Sequence, residues 1–301
     1  MYHYVREIRR SEFPGIKGLE VEGFRRQLDH LAQNYNFVTA DQVVAAAKYG
    51  HTLPEDAVWL TFDDGYKDHH MYVLPELVKR GVQGSFFVPS KPILDRVVMD
   101  VNSVHYILAS GMSPNSIAGR LNHLCLESGV TREELSGFWA EYAVGNRFDS
   151  AEIIYIKRML QHALPMAIRG KIVDTLLKEF VKIDSDELAQ QLYLTVGEVR
   201  ELIDAGMYVG GHSHSHVWLD REFYDSQLLE VNQSLDFLVQ VGAASKDWIM
   251  AYPYGAYNNN SLDILAQRDC AVAVTTEVRT ANLLRDNPLT LPRFDANDFP
   301  S

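Results

Sequence analysis

Ala57-Val58-Trp59-Leu60-Thr61-Phe62-Asp63-Asp64-Gly65-Tyr66 joins a predicted strand to two adjacent carboxylates. The run at 57–62 is short and apolar, which is typical of a buried strand. Gly65, which follows the two aspartates, allows the chain to turn sharply there. Functional side chains of α/β proteins lie at the carboxyl ends of such strands, so Asp63 and Asp64 are candidate site residues. The alternative interpretation is an ordinary Asp-Gly turn with a solvated acidic pair.

Short apolar runs alternate with helical patterns on both sides of this stretch, which predicts βαβ units around a mainly parallel sheet. Further strands are predicted at 85–88, 207–211, 248–252 and 271–274. Helices are predicted at about 39–47, 67–80, 195–206, 226–239 and 262–267. The pattern at about 90–194 is mostly helical. We therefore expect a single α/β domain over residues 1–301 with a helical insertion at about 90–194.

Composition excludes several classes of protein. The chain has 28 basic and 40 acidic residues and a net charge of −12, which argues against nucleic acid or an anionic membrane as a partner. Two distant cysteines, Cys125 and Cys270, are predicted to be buried reduced thiols. No signal-peptide pattern and no apolar run long enough to span a membrane is present in the sequence. We therefore expect a cytoplasmic protein without a transmembrane segment.

A cluster of three histidines follows another predicted strand end, in His212-Ser213-His214-Ser215-His216. Residues four apart share one face of a helix or tight turn, so His212 and His216 can converge on one ion while His214 points elsewhere. Two imidazoles and one carboxylate suit zinc with an open position for water, and the same donors accept iron, cobalt or nickel. The alternative is a histidine-rich loop without a ligand.

A third motif, Ala251-Tyr252-Pro253-Tyr254-Gly255, follows the strand predicted at 248–252. Proline and glycine restrict the loop and leave the Tyr254 amide able to point into a site. Such an amide can stabilise the oxyanion of a tetrahedral intermediate. By itself, however, the motif is also compatible with a plain turn after a strand.

Together these motifs resemble the polysaccharide deacetylase (NodB-homology) family, carbohydrate esterase family four. The family's first motif is matched completely by Thr61–Tyr66, its second by His212-Ser213-x-x-His216, and the end of its third by Pro253-Tyr254-Gly255. The resemblance covers roughly residues 56–90 and 195–280. It implies a distorted (β/α) barrel of the polysaccharide deacetylase type, and hydrolysis of an N-acetyl group on an amino sugar.

The resemblance also implies roles for individual residues. Asp64, His212 and His216 become ligands of one divalent metal ion, with zinc expected before iron, cobalt or nickel. Asp63 becomes the general base, and the Tyr254 amide binds the oxyanion.

Two parts of the family's pattern are absent from this sequence. The arginine that usually stands two residues before the proline of the third motif is Ala251 here, and no histidine follows His216 to supply the usual general acid. We hypothesise that Arg293 pairs with Asp63 in place of that arginine. The alternative is an arginine at the surface or paired with another carboxylate.

The general acid must then come from elsewhere. His3 lies at the end of a strand predicted at the start of the chain, in Tyr2-His3-Tyr4-Val5, and His105 lies in the helical insertion, between Val104 and Tyr106. Either is a candidate acid, although a lone histidine in an apolar setting is more often a structural residue. His69 and His70 are predicted to lie at the surface or the rim of the barrel.

The expected substrate is an N-acylated amino sugar, linked to a nucleotide or lipid before export. The opening Tyr2–Arg6 resembles deacetylases of surface-polysaccharide biosynthesis. Alternatives within the fold are a sugar N-deformylase, an O-deacetylase or a non-catalytic carbohydrate-binding relative. A phosphate-ester metallohydrolase is less compatible, because it usually needs a second metal and more ligands.

Overall fold

The computed structural model describes residues 1–146 and 149–301, and these form two compact units. The barrel unit comprises Met1–Arg6, Gly18–Arg96 and Gln191–Ser301. The helical unit comprises Glu7–Lys17 and Val97–Gln190.

The strands are β1 (Val5–Arg6), β2 (Leu19–Glu20), β3 (Asn36–Phe37), β4 (Ala57–Val58), β5 (Leu60–Asp63), β6 (Gly84–Val88), β7 (Tyr208–Gly211), β8 (Trp248–Ala251) and β9 (Cys270–Val274). The first helices are α1 (Val21–Asn34), α2 (Ala40–Tyr49), α3 (Leu74–Arg80), α4 (Ser90–Asp95), α5 (Asp100–Ala109), α6 (Pro114–Glu127) and α7 (Arg132–Tyr142). The remaining helices are α8 (Ala151–Arg158), α9 (Met166–Leu176), α10 (Ser185–Leu192), α11 (Val196–Asp204), α12 (Tyr224–Val241) and α13 (Asn259–Gln267).

A curled five-stranded sheet forms the centre of the barrel unit. Its strands β5 to β9 are all parallel and lie in the order in which they occur in the chain. The register aligns Asp63 at the end of β5 with Phe87, and Gly211 at the end of β7 with Val88. The carboxyl ends of these strands therefore meet at one edge, and the predicted α/β fold is confirmed.

Irregular chain joins the two outer strands of this sheet to each other. Beside β5, the Tyr2 amide donates to the Thr61 carbonyl at 2.8 Å. Beside β9, the Leu291 amide donates to the Ala273 carbonyl at 2.9 Å. Between them, the Ala296 amide donates to the Met1 carbonyl at 3.0 Å. These bonds replace a regular strand ladder, and the barrel is distorted where they occur.

Local signals explain where the helices of the barrel unit begin and end. Capping boxes of Thr39 with Gln42 and of Thr195 with Glu198 are present at the starts of α2 and α11. Helix α2 ends at Gly50, whose φ of 70° is the left-handed conformation that glycine adopts without strain.

Two details of the central motif differ from the sequence prediction. The strand predicted at 57–62 is interrupted at Trp59 and divides into β4 and β5, which pair with different strands. The helix predicted at 67–80 contains a π-helical turn, His69–Val73, before α3. Such turns interrupt regular helical hydrogen bonding and recur near functional sites.

The helical unit has an apolar core of its own, contributed by α5, α6, α8 and α9. Its fully or almost fully buried side chains include Val104, Ile107, Ile117, Leu121, Ile156 and Leu176. The segment Glu7–Lys17, which precedes α1 in the chain, packs in this unit: for example, the Phe13 ring contacts Tyr106 edge-on at 5.0 Å. Local sequence patterns give no sign of this association.

Both cysteines are buried and free, as predicted. Among the described residues, no helix has the length and apolar character needed to cross a membrane.

Candidate active site

The two aspartates at the end of β5 face different partners. Asp63 is the last residue of β5, and Asp64 follows with a φ of 76°. This left-handed step is uncommon for a residue other than glycine and turns the chain sharply. The side chain of Asp63 contacts Arg293, whereas that of Asp64 contacts His212 and His216. The acidic pair is therefore buried rather than solvated, and each carboxylate has its own surroundings.

Asp64, His212 and His216 converge on one point. The Oδ1 atom of Asp64 lies 3.2 Å from Nε2 of each histidine. One ligand atom from each residue lies within 4.8 Å of the others, and all three side chains are buried. Asp64 Oδ1 has no hydrogen-bond partner among the described residues. A buried carboxylate oxygen without a donor, facing two imidazole nitrogens, is a donor set that fits a divalent metal ion.

The tautomer of His212 also suits metal binding. Its Nδ1 donates to the Ala251 carbonyl at 2.7 Å, which leaves the lone pair on Nε2, the nitrogen that faces Asp64. Hydrogen bonds of this kind orient metal-binding histidines in proteins. Ala251 stands where the family usually has an arginine, and it contributes to the site through its backbone carbonyl, which orients His212.

An irregular loop, rather than a helical turn, brings His212 and His216 together. Ser213 and His216 both have a φ of 57°, so the chain bends twice within five residues. The Ser213 hydroxyl, fully buried, accepts from the His216 amide at 3.0 Å. The convergence that was expected from residues four apart is present, but two left-handed steps cause it.

His214 points away from the other two histidines, as predicted. Its Nδ1 lies 2.8 Å from the Ser90 hydroxyl. The backbone around it is fixed by Glu230, whose carboxylate accepts from the amides of His214 and Ser215 at 2.9 and 2.7 Å.

Burial and charge interactions together shift the pKa values of Asp64, His212 and His216. Burial raises the pKa of the Asp64 carboxyl, but its interactions with His212 and His216 outweigh burial and hold that pKa well below its usual range. Burial lowers the pKa of His216, and its contacts with Asp64 do not offset this effect. For His212 the balance is reversed: burial lowers its pKa, but Asp64 and Asp63 together raise it. An ionised carboxylate and a neutral imidazole are the forms that bind metal ions.

Asp63 and Arg293 form a buried bidentate ion pair. The two terminal nitrogens of Arg293 donate to Oδ1 and Oδ2 of Asp63 at 2.9 and 2.7 Å. Arg293 also donates to the Thr61 hydroxyl at 3.1 Å and to the Thr275 carbonyl at 3.0 Å. Burial raises the pKa of Asp63, but the charge and hydrogen bonds of Arg293 outweigh it and lower the pKa to about 2. The pairing hypothesised from the sequence is therefore present in the structure.

The third motif lies beside the histidines. Pro253–Gly255 form a single 3₁₀ turn in which Tyr254 has a φ of 59°. The Tyr254 ring contacts the His216 ring at 4.7 Å and stacks on Trp218 at 4.3 Å, with the planes 9° apart. Trp218 was not a candidate from the sequence, because its contact is with a residue far along the chain.

The candidate acids lie in different units. His3 belongs to the barrel unit, and its charge affects the pKa values of Asp63, Asp64 and His216. His105 lies on α5 of the helical unit.

The predicted position of His69 at the surface or rim is wrong. Its side chain is fully buried, and its Nε2 donates to the His3 carbonyl at 2.9 Å. Burial is the main cause that lowers the pKa of His69 to about 4. His70 is partly exposed, as predicted, and contacts Glu201 at 2.6 Å. Two adjacent histidines in a helical pattern give no signal of which one faces inward.

A family model described as polysaccharide deacetylase matches residues 50–113 and 172–273, together more than half of the chain. The chain belongs to the polysaccharide deacetylase family. It contains the buried acidic pair and the histidine pair in the order that the family's motifs require. As a polysaccharide deacetylase, it is a hydrolase of amide bonds in acetylated sugars.

Solved structures of deacetylases share the fold of this polysaccharide deacetylase. The Streptococcus pyogenes deacetylase PplD is 19% identical with a TM-score of 0.57, and the alignment covers 97% of this chain and 88% of PplD. IcaB from Ammonifex degensii is 17% identical with a TM-score of 0.55, at coverages of 97% and 88%. A de-N-acetylase from Aggregatibacter actinomycetemcomitans is 16% identical with a TM-score of 0.53, at coverages of 98% and 93%. The predicted deacetylase-type fold is thereby confirmed, and no curated protein sequence matches the chain significantly.

Proposed function

We propose that this enzyme removes the N-acetyl group from an amino sugar that is a component or precursor of a bacterial surface polysaccharide. The observation that carries the proposal is the buried group of Asp64, His212 and His216 beside a second buried carboxylate, Asp63. A site that only bound a metal ion for stability would not need this second carboxylate, which is costly to bury. Family membership supplies the reaction class, and the name de-N-acetylase of one structural relative supports the N-acetyl group.

We propose Asp64, His212 and His216 as the ligands of one divalent ion, and zinc as that ion before iron, cobalt or nickel. Two imidazoles and one carboxylate leave a coordination position open, as in catalytic zinc sites. A bound ion of this kind supplies Lewis acidity, polarising a carbonyl group and acidifying water.

Asp63 is the proposed general base. A carboxyl group with a pKa of about 2 is ionised at neutral pH and able to accept a proton. Such a group is a weak base, so its contribution depends on position rather than on basicity. The two hydrogen bonds from Arg293 hold both carboxylate oxygens and so fix the orientation of the Asp63 side chain.

Two further roles complete the proposal. The Tyr254 amide is proposed to bind the oxyanion, which is supported by the left-handed turn at Tyr254 and by the contact of its ring with His216. His3 is proposed as the general acid that protonates the departing amine, because the carbonyl of its chain neighbour Tyr2 accepts a hydrogen bond from the Asp63 amide at 2.9 Å. His105 is the second candidate for the same role.

The substrate proposed is an N-acetylated amino sugar, either within a polymer or linked to a nucleotide or lipid. We also propose that the chain is one deacetylase domain with the helical unit as its insertion. A formyl group or an ester would fit the same chemistry, so release of formate or of O-linked acetate is the alternative outcome to measure.

The test measures acetate release from N-acetylated oligosaccharides, a nucleotide-linked N-acetyl amino sugar and a lipid-linked one, with zinc supplied. Asp63→Asn is expected to reduce turnover about 10²–10⁴-fold while retaining bound metal. The matched control is Asp68→Asn, which alters another buried carboxylate paired with an arginine, Arg6, at 2.6 Å. This control is expected to keep turnover within about twofold of the unaltered enzyme, because exchanging a carboxylate outside the site leaves the transition state unchanged. Unchanged turnover in Asp63→Asn would refute the base assignment, and metal binding without release from any substrate would favour a non-catalytic relative.

A further inference from the structure

The carboxylate of Asp64 is divided between two environments. Its Oδ1 faces the two histidine nitrogens and has no hydrogen-bond partner among the described residues. Its Oδ2 accepts a hydrogen bond of 2.7 Å from the hydroxyl of Tyr66. The two residues are separated in the chain only by Gly65, whose φ of 62° continues the turn begun at Asp64. The turn therefore brings the Tyr66 hydroxyl back onto the carboxylate that precedes it.

The Tyr66 ring has little freedom to move away from Asp64. It is fully buried and stacks on Tyr4, with centroids 4.2 Å apart and planes 12° apart. Tyr193 lies nearly parallel to it at 6.3 Å. The backbone is also held, because the Leu194 amide donates to the Gly65 carbonyl at 2.9 Å. The hydroxyl is consequently presented to Asp64 in one fixed position.

We infer that Tyr66 is a positioning residue that sets the metal affinity of the site by holding Asp64 as a one-oxygen ligand. The inference rests on the proposed function, in which Asp64, His212 and His216 bind the ion. A donor on Oδ2 occupies the oxygen that would otherwise compete for the ion, and it removes the rotational freedom of the carboxylate before binding. Hydrogen bonds to metal ligands from neighbouring residues typically change metal affinity about 10- to 100-fold.

The quantity that changes on substitution distinguishes this positioning role from simple packing. Phenylalanine at position 66 would keep the ring stacked on Tyr4 and would remove only the donor. A residue that merely filled the core would, on this change, alter the stability of the metal-free protein and leave the metal dissociation constant as it was. A residue that positions the ligand would alter the dissociation constant.

The experiment titrates metal-free protein with zinc in competition with a chromophoric chelator and compares Tyr66→Phe with Tyr155→Phe. Tyr155 is a matched control, because it is also fully buried and its hydroxyl donates to a carboxamide oxygen, Asn122 Oδ1, at 2.6 Å. Tyr66→Phe is expected to bind zinc about 10- to 100-fold more weakly than the unaltered enzyme. Tyr155→Phe is expected to stay within about twofold, because the Tyr155 hydroxyl donates to Asn122, which is not a proposed metal ligand.

A dissociation constant for Tyr66→Phe equal to that of Tyr155→Phe overturns the inference while leaving the proposed function intact. Failure of the unaltered protein to bind zinc, in contrast, refutes the proposed metal site itself. If Tyr66→Phe is not recovered folded, Tyr66→Met also lacks the donor and fills the space with a flexible apolar chain, so the same weakening is expected from it.

Discussion

The barrel unit and the helical unit bury different kinds of side chain. In the barrel unit, the buried aspartate, glutamate, histidine and arginine residues are Asp63, Asp64, Asp68, Glu76, His69, His212, His216 and Arg293. In the described part of the helical unit, the buried polar residues are Asn102 and Ser103, both neutral. Burying charged groups is unfavourable unless they are paired, and an apolar core avoids that cost. The helical unit therefore avoids this cost, while the barrel unit buries ionisable groups, several of them at the ends of β5 and β7.

Backbone conformation shows the same contrast. Eight residues of the barrel unit have positive φ without being glycine, and four of them, Asp64, Ser213, His216 and Tyr254, lie around the site. In the described part of the helical unit, Lys182 is the one such residue, and it ends a helical turn. Unfavourable backbone conformations that cluster with buried charge are typical of sites built for function rather than for stability.

The strongest test of this contrast removes one half of the buried ion pair. Arg293→Met leaves Asp63 buried without its cation, so we expect the free energy of unfolding to fall by about 3–5 kcal/mol. Denaturant unfolding measures this change, with the Lys157→Met variant as control, since Lys157 is partly exposed. A loss as small as that of the control would contradict the view that the Asp63–Arg293 pair is tightly coupled.

The second prediction concerns the apolar core of the helical unit. Leu121→Ala removes a fully buried side chain from α6, and the cavity is expected to cost about 2–5 kcal/mol in unfolding free energy. Because the proposed zinc ligands Asp64, His212 and His216 belong to the other unit, the zinc dissociation constant should stay the same. Urea unfolding and zinc binding, measured on the same preparation, check the expected loss of stability and the expected unchanged zinc affinity. A large change in zinc affinity would show that the two units are not separable in role.

A smaller effect is expected from the ring that stacks on Tyr254. Trp218→Leu removes that stacking, and aromatic pairs of this kind contribute about 0.5–1.5 kcal/mol. If Trp218 holds the Tyr254 turn in place, kcat should fall about 3- to 10-fold with zinc affinity unchanged, and Trp218→Phe should recover most of the loss. A change in KM alone would indicate a contact with substrate instead.

The smallest effect is predicted at a carboxylate of the helical unit. Asp149 contacts Lys157 and Lys17, at 2.7 and 2.6 Å, and Lys17 is largely exposed. Burial raises the pKa of Asp149, but the two lysines outweigh it and lower that pKa. Because the folded-state pKa is lowered, the stabilisation is present above the unfolded-state value of about 4 and is lost as the pH falls through the folded-state value.

Asp149→Asn should therefore reduce the unfolding free energy by less than about 1 kcal/mol at neutral pH, since solvent screens such pairs. The difference from the unaltered protein should disappear in acid. A difference that persists there would mean that the carboxylate acts through packing rather than charge.

Much of the site could be predicted from the sequence, because its chemistry lies in short motifs directly after strands. The adjacent Asp63 and Asp64, and the pair His212 and His216, are each close in the chain, and strand order places them at one edge. Arg293 could be hypothesised because the expected arginine was replaced by Ala251 and a cation was still needed.

Other features depend on contacts between distant residues, so local patterns could not reveal them. The inward orientation of His69 depends on its hydrogen bond to the carbonyl of His3, which lies 66 residues earlier in the chain. The break at Trp59 arises because β4 pairs with β3, while β5 pairs with β6. The association of Glu7–Lys17 with the helical unit likewise has no local signal.

A single titration of chelator-treated protein with zinc, in which bound metal and acetate release are measured together, tests the proposed metal-dependent deacetylation. We expect one bound ion per chain, acetate release that rises in proportion to bound zinc, and loss of both in His216→Ala. Acetate release that persists in the chelator-treated protein, or undiminished zinc binding by His216→Ala, would contradict it.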